Sequence, residues 1–128
     1  MTKVSVLLVE DELLIRMDIE SSLVEAGFDV VDAANGADAM RIFDERPADF
    51  SAVITDIRLG QGSNGWEVAR YIRASVPTMA VVYISGDSAG DWSSQGVPNS
   101  VMIAKPFAFS QIITAISMLL NQPDQLLS

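Results

Sequence analysis

The chain contains no cysteine and no histidine. Without cysteine there is no disulfide framework and no thiolate metal site, which fits a reducing compartment. Without histidine there is no imidazole base and no imidazole metal ligand. Lysine is nearly absent too, with only Lys3 and Lys105. Eight cationic residues stand against 17 acidic ones, a net charge of −9. A surface this acidic is repelled by phosphate backbones, so direct nucleic-acid binding is not expected. No apolar run approaches the ~20 residues of a membrane span, so no membrane association is expected. The first apolar run is broken by Glu10, Asp11 and Glu12 and lacks the cleavage pattern of a secretory signal. Together these features point to the cytoplasm.

What the chain does have is 128 residues, 49% of them hydrophobic, enough for one domain with a real core. A chain this long buries roughly two-thirds of its unfolded surface without staples. Residues 1–121 read as that domain and residues 122–128 as a tail.

Short apolar runs set the organisation. Val4–Val9, Phe28–Ala33, Ser51–Asp56, Met79–Ile84 and Val101–Ala104 are strand-length and rich in β-branched residues. Asp29 and Asp32 interrupt the second, as suits an edge strand. Between the strands lie helical patterns. Glu12–Ala26 is closed by Gly27, and a helix opening at Asn35-Gly36 is ended by Pro47. A third follows Asn64, with Glu67 three residues on to complete a capping box, and Pro77 ends it. Ser110 is the expected cap of the last helix, where Ile112, Ile113, Ile116, Leu119 and Leu120 recur at helical spacing. Gly86–Ser100 is rich in Gly, Ser, Asp and Pro, and only Ser88–Gln95 suits a helical turn or two. The first helix has two apolar stripes. Ile15, Ile19, Leu23 and Ala26 form one, and Leu13, Met17 and Val24 the other. One covers the sheet and the other must meet a neighbouring helix or a partner, of which the helix is the expected one. The alternation of strands and helices, with connections too long for hairpins, predicts an α/β fold. It is a parallel sheet with helices on both faces.

Four strands end on polar residues: Glu10 and Asp11, Asp56, Ser85, and Lys105. In a parallel sheet these endings share the carboxyl edge, where open α/β sheets bind ligands. Glu10, Asp11 and Asp56 repel one another there, and a hard cation such as Mg²⁺ resolves the repulsion while leaving positions for phosphate oxygens. Lys105 can pair Asp56 or a phosphate oxygen. Ser85 and Gly86 offer a hydroxyl and an open backbone N–H to an oxyanion. Each residue alone is as well explained by a solvated loop or a strand-ending turn. Together they describe a carboxylate nucleophile that can become an aspartyl-phosphate.

The motifs VLLVEDE, VITDIRLG, YISGD and AKPF, in this order, resemble the receiver domain of two-component response regulators from about Val4 to Leu120. The resemblance implies a flavodoxin-like sheet of order 2-1-3-4-5 and a phosphorylatable switch rather than an enzyme. It implies Asp56 as phosphoacceptor and Ser85 as the hydroxyl that senses the phosphate. It implies Lys105 as the family's lysine, and Asp11 as a direct Mg²⁺ ligand. Glu10 binds mainly through water, and the backbone carbonyl of Arg58 completes the set. The donor is then a phosphohistidine on a sensor histidine kinase or histidine phosphotransfer protein. It docks near Leu14, Ile15 and Asp18 and on Pro106-Phe107, and output passes through protein contacts. The chain reads as a stand-alone receiver or one excised from a longer protein. It departs from the family in carrying Met102 where an aromatic is common, Gly60 where proline is common, and a reduced fourth helix.

Two other classes compete. A phosphorylation-independent scaffold would keep the fold without the chemistry, and Met102 and the fourth helix favour it. A Mg²⁺-dependent phosphohydrolase would need a second carboxylate just after the first, where Arg58 stands. Flavin binding fails for want of a phosphate-cradling loop after the first strand. If the switch reading holds, activation reorders Gly86–Ser100, and Trp92 within it reports the change.

Overall fold

The structure, a computed structural model, describes residues 3–122. Five parallel strands form one sheet in the order β2-β1-β3-β4-β5. They are β1 (Ser5–Val9), β2 (Asp29–Ala33), β3 (Phe50–Asp56), β4 (Ala80–Ser85) and β5 (Ser100–Ala104). The helices are α1 (Leu13–Glu25), α2 (Gly36–Glu45), α3 (Gly65–Ser75), the four-residue α4 (Trp92–Gln95) and α5 (Phe109–Leu120). The expected α/β fold and strand order are both observed. The expected tail lies, Gln122 apart, outside the described residues.

Alternation along the central strands builds two cores. Leu7, Val9, Val53, Val81 and Tyr83 face α2 and α3, whereas Val6, Leu8, Ile54, Val82 and Ile84 face α1 and α5. Most of these side chains are fully buried, and each such Val, Leu or Ile contributes about 1.5–3 kcal/mol of burial. The edge position of β2 is confirmed, with Asp29 and Asp32 exposed.

Local signals set most helix ends. Gly27 sits at φ 100°, and the N–H groups of Gly27 and Phe28 donate to the Val24 and Leu23 carbonyls in a Schellman arrangement. The Asn35 side chain accepts from the Asp38 N–H at 2.8 Å. Asn64 and Glu67 form the expected capping box, each side chain accepting the other's backbone N–H.

Two expectations are corrected. Ser110 does not cap α5. The helix begins at Phe109, Ala108 is its N-cap, and the Gln111 side chain accepts the Ala108 N–H at 2.8 Å. Gln111, reaching back from the first turn, meets a donor that a serine inside the helix cannot. The outer stripe of α1 is not covered by a helix either. Leu13, Met17 and Val24 remain about half exposed because α1 turns Ile15, Ile19 and Leu23 to the sheet and α5.

Candidate functional site

Register puts the polar endings side by side. Val9 pairs with Thr55, Asp56 with Ile84, and Ser85 with Ala104, so the residues that end or follow β1, β3, β4 and β5 line one edge. Asp56 is the last residue of β3, and its side chain is nearly buried. The backbone there is tightly held. The Thr55 hydroxyl donates to the Asp56 carbonyl at 2.8 Å, and the Ile57 N–H donates to the Ile84 carbonyl at 3.2 Å. Gly65, opening α3, lies against the Asp56 carbonyl, and a Cβ at this position would collide with it.

One carboxylate oxygen from each of Glu10, Asp11 and Asp56 lies within 4.8 Å of the others. Glu10 is buried and Asp11 is exposed at the rim. Lys105 Nζ approaches from β5, donating to Asp56 Oδ2 at 2.8 Å and lying 3.5 Å from Glu10 Oε1. That Glu10 oxygen is buried without a hydrogen-bond partner, while Oε2 accepts the Glu12 N–H at 3.1 Å.

Burial pushes the Glu10 carboxyl up to about 7. The Glu12 N–H and the Lys105 ammonium oppose the rise, and the Asp56 charge adds to it. Burial acts to lower the Lys105 ammonium, but the hydrogen bond and charge of Asp56, with Glu10 behind, hold it above the usual lysine range. The donor set fits a hard cation. Three clustered carboxylates, one with a buried oxygen that accepts no hydrogen bond, are an oxygen donor set that suits a hard cation.

Ser85 ends β4, with its hydroxyl oxygen accepting from the Ser88 N–H at 2.7 Å and the Asp87 N–H at 3.2 Å. Both bonds use lone pairs, so the hydroxyl proton is left to donate. Gly86 is exposed beside it, with open space where a Cβ would stand. Arg58 follows Asp56 in the next loop, but its side chain turns away to Asp87, 2.7 Å from its carboxylate.

Arg16 was not singled out from sequence. From α1 it donates to the Glu10 carbonyl at 2.8 Å and lies 3.8 Å from Asp32, fixing the backbone beside the acidic pair. A cation in a helix five residues after Asp11 is the only signal sequence offers for it.

The family profile described as "Response regulator receiver domain" matches residues 6–117. The crystal structure of a response regulator receiver protein from Sinorhizobium medicae WSM419 is similar to this chain, with a TM-score of 0.90 and 45% identity. It covers 93% of this chain and 95% of its own. Among curated proteins, the sensor kinase CckA of Brucella abortus (strain 2308) is 29% identical over 94% of this chain and 13% of its own length. A putative NtrX-like response regulator of Rickettsia conorii (strain ATCC VR-613 / Malish 7) is 33% identical over 91% of this chain and 25% of its own. The chain thus spans a quarter or less of these curated relatives. With its sheet order, its acidic edge and these matches, the chain belongs to the response regulator receiver domain family, the phosphorylatable switches of two-component signalling.

Proposed function

We propose that Asp56 is the phosphoacceptor of this switch, and that residues 1–121 act as one receiver unit. The observation that carries the assignment is the placement of Lys105 Nζ 2.8 Å from Asp56 Oδ2 beside the Glu10 and Asp11 carboxylates. An Asp56 carboxylate oxygen attacks the phosphorus of a phosphohistidine. The O–P bond forms as the N–P bond breaks, and the imidazole nitrogen keeps the bonding pair. Lys105 moves its hydrogen bond from the carboxylate to a phosphoryl oxygen. Ser85 donates its hydroxyl proton to another, and the Gly86 N–H adds a donor.

Mg²⁺ is the cation proposed for the acidic cluster, held by Asp11, Asp56 and the Arg58 backbone carbonyl, with Glu10 acting mainly through water. When bound it neutralises charge on the transferring group. Phosphorylation adds about 1.5–2 negative charges to a site already acidic, so the new attractions fall to Lys105, Ser85 and the cation. As Ser85 engages the phosphoryl group, its hold on the Asp87 and Ser88 N–H groups weakens and the following loop is freed.

The donor is a sensor histidine kinase or histidine phosphotransfer protein. Leu14, 74% exposed, lies on α1 with Ile15 and Asp18, and Pro106 and Phe107 follow Lys105 on the same rim. These residues form the proposed docking surface. The chain assists its own Mg²⁺-dependent phosphorylation and dephosphorylation and turns over no separate substrate. Its output passes through protein contacts in the cytoplasm, without nucleic acid or membrane. No helix among the described residues is long and apolar enough to cross a membrane.

The test is incubation with acetyl phosphate and Mg²⁺ followed by intact-mass measurement. Wild type gains one phosphoryl group and Asp56→Asn gains none; an unmodified wild type under all conditions counts against the assignment. The scaffold reading is favoured by the four-residue α4 and by Met102. It requires instead that Asp56→Asn and wild type, with or without beryllofluoride, retain the same partner equally.

A further inference from the structure

The segment between β4 and β5 is attached very differently at its two ends. At the start, Asp87 and Ser88 are held by the Ser85 hydroxyl, and the outward tie is the exposed Arg58–Asp87 pair. At the far end Val97 is gripped on both sides of its backbone. Its N–H donates to the Tyr83 hydroxyl at 3.1 Å, and its carbonyl accepts from the Ser100 hydroxyl at 2.6 Å. Ser100 in turn accepts the Trp92 indole N–H at 2.9 Å. The indole lies over Gly96, where a Cβ would collide with the ring. From α3, Arg70 donates to the Gln95 carbonyl at 3.0 Å, and Arg73 to the Pro98 carbonyl at 2.6 Å.

Tyr83 is the centre of this knot. It is fully buried, its ring packs 4.7 Å from that of Trp66, and it pairs across the sheet with Met102. Tyr83 and Ser85 are two residues apart on one strand, so both project from the same face of β4. One residue holds the end of the segment and the other holds its beginning.

We infer that Tyr83 pins Val97 as the fixed point of a hinge, so that release of the Ser85 hydroxyl moves residues 86–91 and leaves α4 and residues 97–100 in place. The signal-bearing surface is then the 86–91 loop, and Trp92 belongs to the stationary part. The inference rests on the phosphorylation reading for its trigger. The grip on Val97 stands without it. A hinge needs a few residues that absorb the backbone change beside an element that does not yield. Residues 86–91, with two glycines and few buried groups, supply the first, and the doubly bonded Val97 supplies the second. Tyr83→Phe removes one hydroxyl and keeps the ring, so the core is preserved.

The experiment is residue-resolved amide hydrogen exchange on the whole chain, with and without beryllofluoride and Mg²⁺. In wild type, beryllofluoride should change exchange at residues 86–91 and leave Val97 within twofold. In Tyr83→Phe without beryllofluoride, Val97 should exchange at least tenfold faster while Val81 and Val82 stay unchanged. With beryllofluoride the response should spread through residues 92–98. Ser100→Ala, which releases the other side of Val97, should accelerate the same amide. Unchanged Val97 exchange in both variants, or a wild-type response at Val97 as large as at Ser88, overturns the hinge. If wild type shows no response anywhere, the phosphorylation trigger and the confined motion both fall, and the variants without beryllofluoride still decide the pin.

Discussion

Lys105 Nζ and Asp56 Oδ2 lie 2.8 Å apart, joining residues 49 positions distant in the chain. The bond makes Lys105 both the counter-ion of the resting carboxylate and the group nearest to an arriving phosphoryl. Lys105→Ala should keep the adduct at Asp56 but lose the beryllofluoride-induced change in amide exchange at residues 86–91. Without Mg²⁺ it should also be less stable by about 1–3 kcal/mol, since Asp56 and Glu10 lose their cationic partner, and Mg²⁺ should restore most of that. Denaturant unfolding with and without Mg²⁺ checks the second point. A normal exchange response removes Lys105 from the coupling.

Glu10 gives a pH dependence with a definite sign. Its carboxyl is raised from 4.5 to about 7, so between those values the folded chain holds a proton that the unfolded chain has released. In metal-free buffer that contribution is fully present below pH 4.5 and is lost as pH rises through about 7. The loss has an upper bound of about 3–4 kcal/mol. Glu10→Gln should abolish this component, so the stability of the variant relative to wild type rises between pH 5 and 8. Parallel unfolding curves in EDTA across that range measure it, and a constant difference contradicts the raised carboxyl. For wild type, Mg²⁺ affinity should fall as pH drops below about 7, because a proton on Glu10 removes a negative charge from the acidic cluster.

Gly65 tests how tightly the phosphoacceptor is seated. A methyl group there meets the Asp56 carbonyl, which cannot yield without moving β3. Gly65→Ala should cost about 1–3 kcal/mol or more, a fall in Tm of roughly 5–15 °C. A variant as stable as wild type would show that the α3 start can shift freely.

Arg58 separates a backbone role from a side-chain role. Its guanidinium is exposed and paired with Asp87. Arg58→Ala should leave Tm unchanged and Mg²⁺ affinity within about twofold, because an exposed pair adds little and the proposed ligand is the carbonyl. Isothermal titration with Mg²⁺ checks this, and a large loss of affinity would assign the side chain a role in binding.

The strands, their order on the resemblance, and the convergence of Glu10, Asp11, Asp56, Ser85 and Lys105 were all legible in sequence. Each apolar run stops on a polar residue, and parallel pairing then leaves those residues no other place than one edge. Asn64 and Glu67 were legible because capping is local. Ser110 was misleading because the helix starts a residue earlier, at Phe109, which leaves Ser110 inside the first turn while Gln111 accepts the Ala108 N–H. The exposure of the outer stripe of α1 is not legible, because spacing shows which residues share a face, not whether a helix, a partner or solvent stands opposite. Arg16 on the Glu10 carbonyl and Tyr83 on the Val97 N–H were invisible for a related reason. They are side-chain bonds to backbone groups outside any helix cap, and there no residue pattern marks which backbone acceptor or donor is reached.

The most direct test reduces the phosphorylated chain with borohydride and maps the product by peptide mass. Phosphorylation at Asp56 predicts conversion of that residue alone to homoserine, dependent on Mg²⁺. Intact Asp56, or reduction at Glu10 or Asp11 instead, would contradict it.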